Sequence, residues 1–226
     1  MRGIYKFKLG KVLMPVIGIL TFAVPLVVAA QNPPAAGFFT LVNAVDLTSN
    51  TVVSVDGRPL RPDGLKPGQV TGGLGFVAGR HRIDATNIGC RPGSLMLDVN
   101  EGTSPIVIIY LISSSSPTGT AARELRLFVR RNTPGTTEKK TFWVIYAGAA
   151  ASQTVTLNAQ TVKLQPLIEA SVGDSASLTI GQNGQPVASL VPDVPGKYVG
   201  VLFDGRDSKL KAVLAEDAVL RRAGTR

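Results

Sequence analysis

The chain has 226 residues, of which 44% are hydrophobic and 17% charged, so it belongs to the globular class rather than the disordered one. Its 24 glycines and 15 prolines, with many valines and threonines, favour strands and turns over long amphipathic helices. The formal net charge is +9, but residues 1–30 hold four of the basic side chains, and the remaining 20 basic and 15 acidic side chains are scattered. This pattern argues against nucleic acid as a partner.

The N-terminus has the order of an export signal. A basic start, "MRGIYKFKLGK", is followed by an apolar stretch and by "VVAA" before the polar "QNPP". We therefore predict a signal peptide over 1–30, cleaved between Ala30 and Gln31, and a flexible leader over 31–37. Because the apolar run is long, a retained anchor is the alternative. Export predicts a periplasmic protein, with secretion or the cell surface as alternatives, that meets the membrane only through this segment or a partner.

Short apolar runs separated by turn signals follow the leader, and each predicts a strand. They recur about every ten residues, which is the rhythm of an antiparallel sandwich. The run "IVIIYLI" is apolar throughout and predicts a central strand. The serine-rich stretch 113–122 could be a linker, but "RELRLFVRR" after it alternates as one more strand, and the next polar break is "NTPGTTEKK".

The chain also repeats itself. "FFTLVNAVDLTSNTVVSVDG", which begins at Phe38, and "TFWVIYAGAAASQTVTLNAQ", which begins at Thr141, share the order strand, small-residue turn, link and alternating strand, and later blocks match in the same order. We predict an all-β chain with two tandem antiparallel β-sandwich modules, Ig-like or jelly-roll-like; a single large sandwich is the alternative. The predicted parts are module 1 over 38–131, a linker over 132–140, module 2 over 141–217 and a disordered tail over 218–226.

Two glycine motifs suggest enzymes. "GLGFVA" at 73–78 matches a dinucleotide-binding pattern, but no helical pattern follows to bind the pyrophosphate. "GDS" at 173–175 matches the nucleophile block of GDS-type esterases, but His81 comes 94 residues before Ser175 and no histidine follows it. We therefore predict that Gly57, Gly79 and Gly173 are structural turn glycines.

Few other residues in the sequence suggest a disulfide, a metal site or a binding platform. With one cysteine, Cys90, and one histidine, neither a disulfide nor a His/Cys metal site can form within the chain. The oxygen-rich turns "DVNEG" and "DGRD" lack the calcium-loop pattern, and the aromatic cluster "FWVIY" predicts core packing rather than a sugar-binding platform. We expect no catalytic residue, cofactor or metal, and hence a protein that is not an enzyme.

The starts of both modules carry a family resemblance. "FTLVNAVDLTSNTVVSVDGRPL", the later "FVAGRHRI", and "FWVIYAGAAASQTVTLNAQTVKL" resemble the periplasmic accessory proteins of alginate O-acetylation and related exported tandem β-sandwich modules of unknown function. The resemblance covers most of 38–214 and departs from the pattern where Ala159 replaces the glycine that Gly57 provides in module 1.

The resemblance implies a non-catalytic exported binding or scaffold protein. It would be an accessory subunit in exopolysaccharide O-acetylation or in another modification of cell-envelope polysaccharide. Its expected partners are acyltransferases or other polysaccharide-modifying proteins, and the polysaccharide itself. The alternative function is a surface adhesion or carbohydrate-binding module; a GDS-type acetyl esterase is a third.

Overall fold

The computed structural model describes residues 35–115, 121–132, 135 and 137–218, and these ranges contain sixteen β-strands and no helix. Accordingly, no helix in the described ranges is long and apolar enough to cross a membrane. The predicted signal peptide with Ala30 and Gln31, most of the leader and nearly all of the tail lie outside the described residues.

The first eight strands form module 1, a sandwich of two four-stranded sheets. The outer sheet has the strand order β3-β2-β5-β6 and the inner sheet the order β4-β1-β7-β8. The strands are β1 (Ala36–Asn43), β2 (Val52–Val55), β3 (Arg58–Pro59), β4 (Leu74–Val77), β5 (Gly79–Thr86), β6 (Gly93–Val99), β7 (Ile106–Ser115) and β8 (Ala121–Arg130).

The last eight strands form module 2 with the same topology. Its outer sheet has the order β11-β10-β13-β14 and its inner sheet the order β12-β9-β15-β16, so adding eight to each strand number of module 1 gives module 2. The strands are β9 (Lys140–Tyr146), β10 (Gln153–Leu157), β11 (Gln160–Leu164), β12 (Glu169–Asp174), β13 (Leu178–Gln182), β14 (Gln185–Leu190), β15 (Gly196–Asp204) and β16 (Leu210–Glu216). The predicted all-β fold of two tandem sandwich modules is confirmed.

One pairing in each inner sheet departs from the predicted antiparallel arrangement. β1 runs parallel to β7, with Thr40 opposite Ile106, and β9 runs parallel to β15, with Lys140 opposite Gly196. Parallel neighbours need a long crossover connection, and here the chain passes through the outer sheet before it returns beside the first strand. The strand rhythm gave no sign of this, because it does not distinguish parallel from antiparallel neighbours.

Three apolar cores separate the four sheets. The first lies between the two sheets of module 1 and includes Phe39, Leu41, Ile83 and Leu125. The second lies between the two sheets of module 2 and includes Phe142, Tyr146, Leu178 and Leu202. The third, which we call the inter-module core, lies between the two inner sheets and consists of Val42, Ala44, Ile106, Ile108, Ile145, Ala147, Val199, Val201, Phe203 and Ala215. The modules therefore pack face to face.

The inter-module core explains why some strands are apolar throughout. In β7, Val107 and Ile109 belong to the core of module 1, whereas Ile106 and Ile108, on the other face, belong to the inter-module core. All four side chains are fully buried. Because neighbouring side chains of a strand point to opposite faces, a sheet that is covered on both sides needs apolar residues at every position. The predicted central position of this strand is confirmed.

Candidate functional site

The single histidine clamps a turn of module 1. His81, on β5, places Nδ1 2.7 Å from Asp56 Oδ2 and Nε2 2.7 Å from the Val77 carbonyl oxygen. Hydrogen bonding to Asp56, and next to Val77, raises the pKa of His81, because the protonated ring can donate through both nitrogens. With both nitrogens engaged, the ring has no lone pair directed at a substrate or a metal.

The "GDS" block closes the pairing of β12 with β9. The Ser175 backbone nitrogen donates to the Lys140 carbonyl oxygen at 2.9 Å, and Asp174 Oδ1 accepts from Thr141 Oγ1 at 2.7 Å. The Thr141 hydrogen bond, followed by the interaction with Lys139, lowers the pKa of Asp174. Ser175 follows an inner strand of module 2, whereas His81 lies on the outer sheet of module 1, so the fold assigns the two residues to different sheets.

The three predicted turn glycines all adopt positive φ. Gly57 (φ 77°) follows Asp56 (φ 50°) in the turn between β2 and β3, and Gly79 (φ 149°) begins β5. Gly173 (φ 85°) lies in β12, where the register with β9 shifts. A Cβ at any of the three would have no atom within 4 Å, so backbone conformation rather than space favours glycine there. The "GLGFVA" motif runs through β4, and a strand follows it where a dinucleotide site has a helix.

The remaining candidates from the sequence are the metal ligands, Cys90 and the aromatic cluster. In the described ranges no three His, Cys, Asp or Glu residues are grouped as metal ligands. Cys90 is a free thiol whose pKa is raised by burial. Phe142 and Tyr146 of the aromatic cluster are fully buried, as their apolar run predicts, and the half-buried ring of Trp143 lies 5.5 Å from the Arg130 guanidinium carbon.

Arg130 joins the two modules through a buried ion network. Its side chain, at the end of β8, is only 5% exposed; Nε lies 2.8 Å from Glu169 Oε2, and Nη1 lies 2.5 Å from Asp217 Oδ2. The Asp217 side chain is fully buried. Burial disfavours the charged guanidinium, but hydrogen bonds to Glu169 and Asp217 outweigh it, so the pKa of Arg130 is raised. The cation therefore stays charged inside the inter-module contact.

A linker residue completes this network. Asn132 Nδ2 donates to Asp217 Oδ1 at 2.9 Å, and Asn132 Oδ1 accepts from the Ser104 backbone nitrogen at 2.7 Å. Asn132 therefore connects the loop before β7 in module 1 to the end of β16 in module 2. A buried carboxylate with several donors is far less costly than a solitary one, so these contacts are consistent with a fixed relation between the modules.

A cleft opens beside the inter-module core. It has a volume of about 420 Å³ and is lined by residues 44, 46–48, 111, 113 and 123 of module 1 and by residues 147–149 and 204–206 of module 2. We call it the inter-module cleft. Its volume is in the range of pockets that bind small ligands.

One carboxylate of the cleft is held by module 2. Asp46, whose side chain is 4% exposed, accepts from Lys211 Nζ at 2.6 Å and from the Arg206 backbone nitrogen at 3.1 Å. Burial raises the pKa of Asp46, but these hydrogen bonds outweigh that effect and hold the pKa below its ordinary value. Asp46 is thus an ionised, compensated group that also ties module 1 to the β15–β16 turn.

The second carboxylate of the cleft is oriented by neutral donors. Tyr146 Oη lies 2.9 Å from both oxygens of Asp204, and the Ala149 backbone nitrogen donates to Oδ2 at 2.9 Å. Burial and then the bond to Asp204 raise the pKa of Tyr146, so its hydroxyl remains a donor. A Cβ at Gly148 would overlap this hydroxyl, which explains the glycine at that position. The Asp204 side chain is thereby fixed at the exposed rim.

Two arginines from different modules line the same cleft. Arg123 comes from β8, and Arg206 comes from the turn after β15. Both are exposed, and among the described residues no carboxylate lies within ion-pairing distance of either guanidinium group. The sequence does not reveal this pair, because "RELRLFVRR" predicts only a strand and "DGRD" only an oxygen-rich turn. Their convergence depends on the packing of the modules.

Searches with the sequence found no matching protein-family model and no similar curated protein.

Proposed function

We propose that the protein is a non-catalytic, exported binding or scaffold subunit that serves in exopolysaccharide O-acetylation or another modification of cell-envelope polysaccharide. The observation that carries this proposal is the joining of two sandwiches into one compact unit through the inter-module core. Such a body presents loops, sheet edges and clefts from both modules in a constant relation, which suits a protein that positions others.

The use of the candidate enzyme residues supports a binding role. Both nitrogens of His81 are engaged by Asp56 and Val77, and the backbone of Ser175 is part of the pairing of β12 with β9. A serine nucleophile needs a neighbouring base that is itself oriented toward it. His81 has no such relation to Ser175 in the fold, and we infer that a partner performs the acetyl transfer.

Genetic complementation tests the non-catalytic role. We expect deletion of the gene to lower the O-acetyl content of the exported polysaccharide, measured by proton NMR, and the unaltered gene to restore it. We also expect genes that encode Ser175→Ala or His81→Gln to restore it, because neither side chain takes part in chemistry. Loss of acetylation with a folded, normally abundant Ser175→Ala protein would instead support the esterase or transferase alternative.

Affinity purification tests the scaffold role. The tagged full-length chain, cross-linked in the cell that exports it, should retain membrane-bound acyltransferase components. Arg130→Ala, which removes the buried ion network between the modules, should lower the yield of these partners if binding needs both modules in their fixed relation. An exposed ion pair offers the matched control, since Arg126→Ala breaks only the pair of Arg126 with Glu124. Retention of glycan without any acyltransferase component would contradict this role.

The alternative, a surface adhesion or carbohydrate-binding module, is favoured by one observation. The inter-module cleft is lined by two arginines and by carboxylates held in place, a combination that suits polar ligands such as sugars. Under this alternative the chain would bind glycans without a protein partner, and deletion would leave the acetyl content of the polysaccharide unchanged.

A further inference from the structure

The inter-module cleft has the donors of an anion site. Arg123 and Arg206 come from opposite modules to line one cavity, and neither makes an ion pair with a described residue. Guanidinium is a planar, permanently charged donor that matches a carboxylate in two parallel hydrogen bonds. The cleft can therefore bind an anionic group from two sides.

The same cleft also has acceptors, which a simple anion site would lack. Asp204 is fixed at the rim by Tyr146 and Ala149, and its remaining lone pairs can accept from a ligand. The Ser113 and Thr48 hydroxyls, which can donate or accept, lie in the same lining. Asp46 is compensated by Lys211 and does not oppose an incoming anion as a bare charge would.

We propose that the inter-module cleft binds a carboxylate-bearing sugar unit of an acidic polysaccharide. The sugar carboxylate would accept hydrogen bonds from Arg123 and Arg206, and neighbouring sugar hydroxyls would donate to Asp204 and interact with Ser113 and Thr48. This inference deepens the proposed function, on which it rests for the choice of a polysaccharide. An acidic peptide is the less favoured ligand, because it lacks the neighbouring hydroxyl groups with which a sugar would donate to Asp204.

A chain of sugars has room to continue from the cleft. Arg123 also lines a second, more open cavity with Cys90, Arg91 and Pro92, and the Arg91 backbone nitrogen donates to the Arg123 carbonyl oxygen at 2.9 Å. Arg91, Arg123 and Arg206 thus follow one another across adjoining cavities. Charges at successive positions would strengthen the binding of a polymer that repeats its carboxylates.

Calorimetric titration of the full chain with a short oligogalacturonate tests the site. We expect saturable binding that a neutral oligosaccharide of the same length does not show. Arg123→Gln and Arg206→Gln should each weaken it about ten- to a hundredfold, as the loss of a charge-assisted hydrogen bond would. Arg80→Gln removes an exposed arginine from the outer sheet of module 1 and should leave the affinity unchanged. Equal losses for Arg80→Gln and Arg123→Gln would overturn the proposal, as would absence of binding.

Asp204→Asn separates sugar recognition from attraction of any polyanion. If sugar hydroxyls donate to Asp204, the variant should bind oligogalacturonate more weakly. If charge alone holds the ligand, removing a negative charge should strengthen binding, and that result would contradict the proposal. Polyglutamate that binds as tightly as oligogalacturonate, and through the same arginines, would instead assign the cleft to an acidic peptide.

The double variant Arg123→Gln/Arg206→Gln distinguishes this inference from the proposed function. The variant should lose oligosaccharide binding and still co-purify with acyltransferase components. If the unaltered protein recovers those components but binds no acidic sugar, only the cleft inference fails. If it binds acidic sugar but recovers no such component, the scaffold role fails and the cleft stands.

Discussion

Modules 1 and 2 have the same strand order but satisfy the end of their first strand differently. In module 1, the fully buried Asn43 donates to the Leu65 and Lys66 carbonyl oxygens at 2.9 and 3.0 Å, so its amide is used inside the module. At the end of the first strand of module 2, Tyr146 reaches Asp204 at the rim of the inter-module cleft. The same position in the two modules therefore holds different polar side chains: Asn43 bonds within module 1, whereas Tyr146 orients a carboxylate at the rim of the cleft.

The turn between β2 and β3 in module 1 corresponds to the turn between β10 and β11 in module 2, and their backbone conformations can be compared. Asp56 and Gly57 have φ values of 50° and 77°, and Asn158 and Ala159 have φ values of 45° and 69°. The turn is conformationally alike in both modules, but module 2 forms it with an alanine in the left-handed region. The turn keeps its conformation in module 2 although Ala159 is strained there. The pairing of the strands on either side therefore specifies the shape of the turn.

The largest expected effect comes from removing the buried ion network between the modules. Arg130→Ala leaves the fully buried Asp217 without its cation and should lower the free energy of unfolding by about 3–5 kcal/mol. Urea unfolding followed by fluorescence of Trp143, which lies beside Arg130, measures the loss. Arg126→Ala, in an ion pair whose arginine is 53% exposed, should cost less than about 1 kcal/mol. Equal effects would mean that the inter-module network adds nothing beyond surface charge.

Loss of the Asn43 side chain at the end of β1 should lower the free energy of unfolding more than loss of the Tyr146 hydroxyl at the end of β9. Asn43→Ala removes three hydrogen bonds of a buried side chain, two donated to the Leu65 and Lys66 carbonyl oxygens and one accepted from the Val45 backbone nitrogen, and should cost about 2–4 kcal/mol. Tyr146→Phe removes only the hydroxyl, and Asp204 keeps its bond from Ala149, so about 1–2 kcal/mol is expected. Thermal unfolding of both variants in one buffer compares them. A larger loss of stability for Tyr146→Phe than for Asn43→Ala would contradict this order.

Substitutions at Gly57 and Ala159 should change the free energy of unfolding by smaller amounts and with opposite signs. Gly57→Ala places a side chain at φ 77° and should destabilise the protein by about 1 kcal/mol, although no atom obstructs its Cβ. Ala159→Gly relieves the same conformation in module 2 and should stabilise by about 0.5 kcal/mol, after the added freedom of the unfolded chain is subtracted. Chemical denaturation of the two single variants is the measurement. The same sign for both would show that the turns are not equivalent.

The smallest expected effect is a pH dependence that belongs to module 1 alone. Because the folded-state pKa of His81 is raised above its ordinary value of 6.5, its bond to Asp56 contributes fully below the unfolded-state pKa. That contribution should be lost as the pH rises through the folded-state pKa. The difference in unfolding free energy between the unaltered protein and His81→Gln should therefore shrink from about pH 5 to pH 8. A difference that grows over this interval would reverse the assigned sign.

Much of the fold was predictable because the pattern of apolar residues in a strand shows which of its faces are buried. "IVIIYLI" predicts a central strand, since every position is apolar, and the order of similar blocks predicts two modules. The parallel pairing of β1 with β7 was not predictable, because strand patterns carry no direction of the neighbour. The candidate site was missed for a related reason: Arg123 and Arg206 are ordinary residues of a strand and a turn until two modules bring them together.

The sequence by itself determined the strand-rich class and the two-module organisation, because these follow from side-chain alternation and from the order of similar blocks. Only the tertiary structure decided how the modules face each other, which carboxylates Arg130 meets, and that Asp46, Asp204 and the two arginines share a cleft. These are contacts between residues far apart in the chain. Their partners are chosen by the burial of two apolar sheet faces against one another, which no short stretch of sequence specifies.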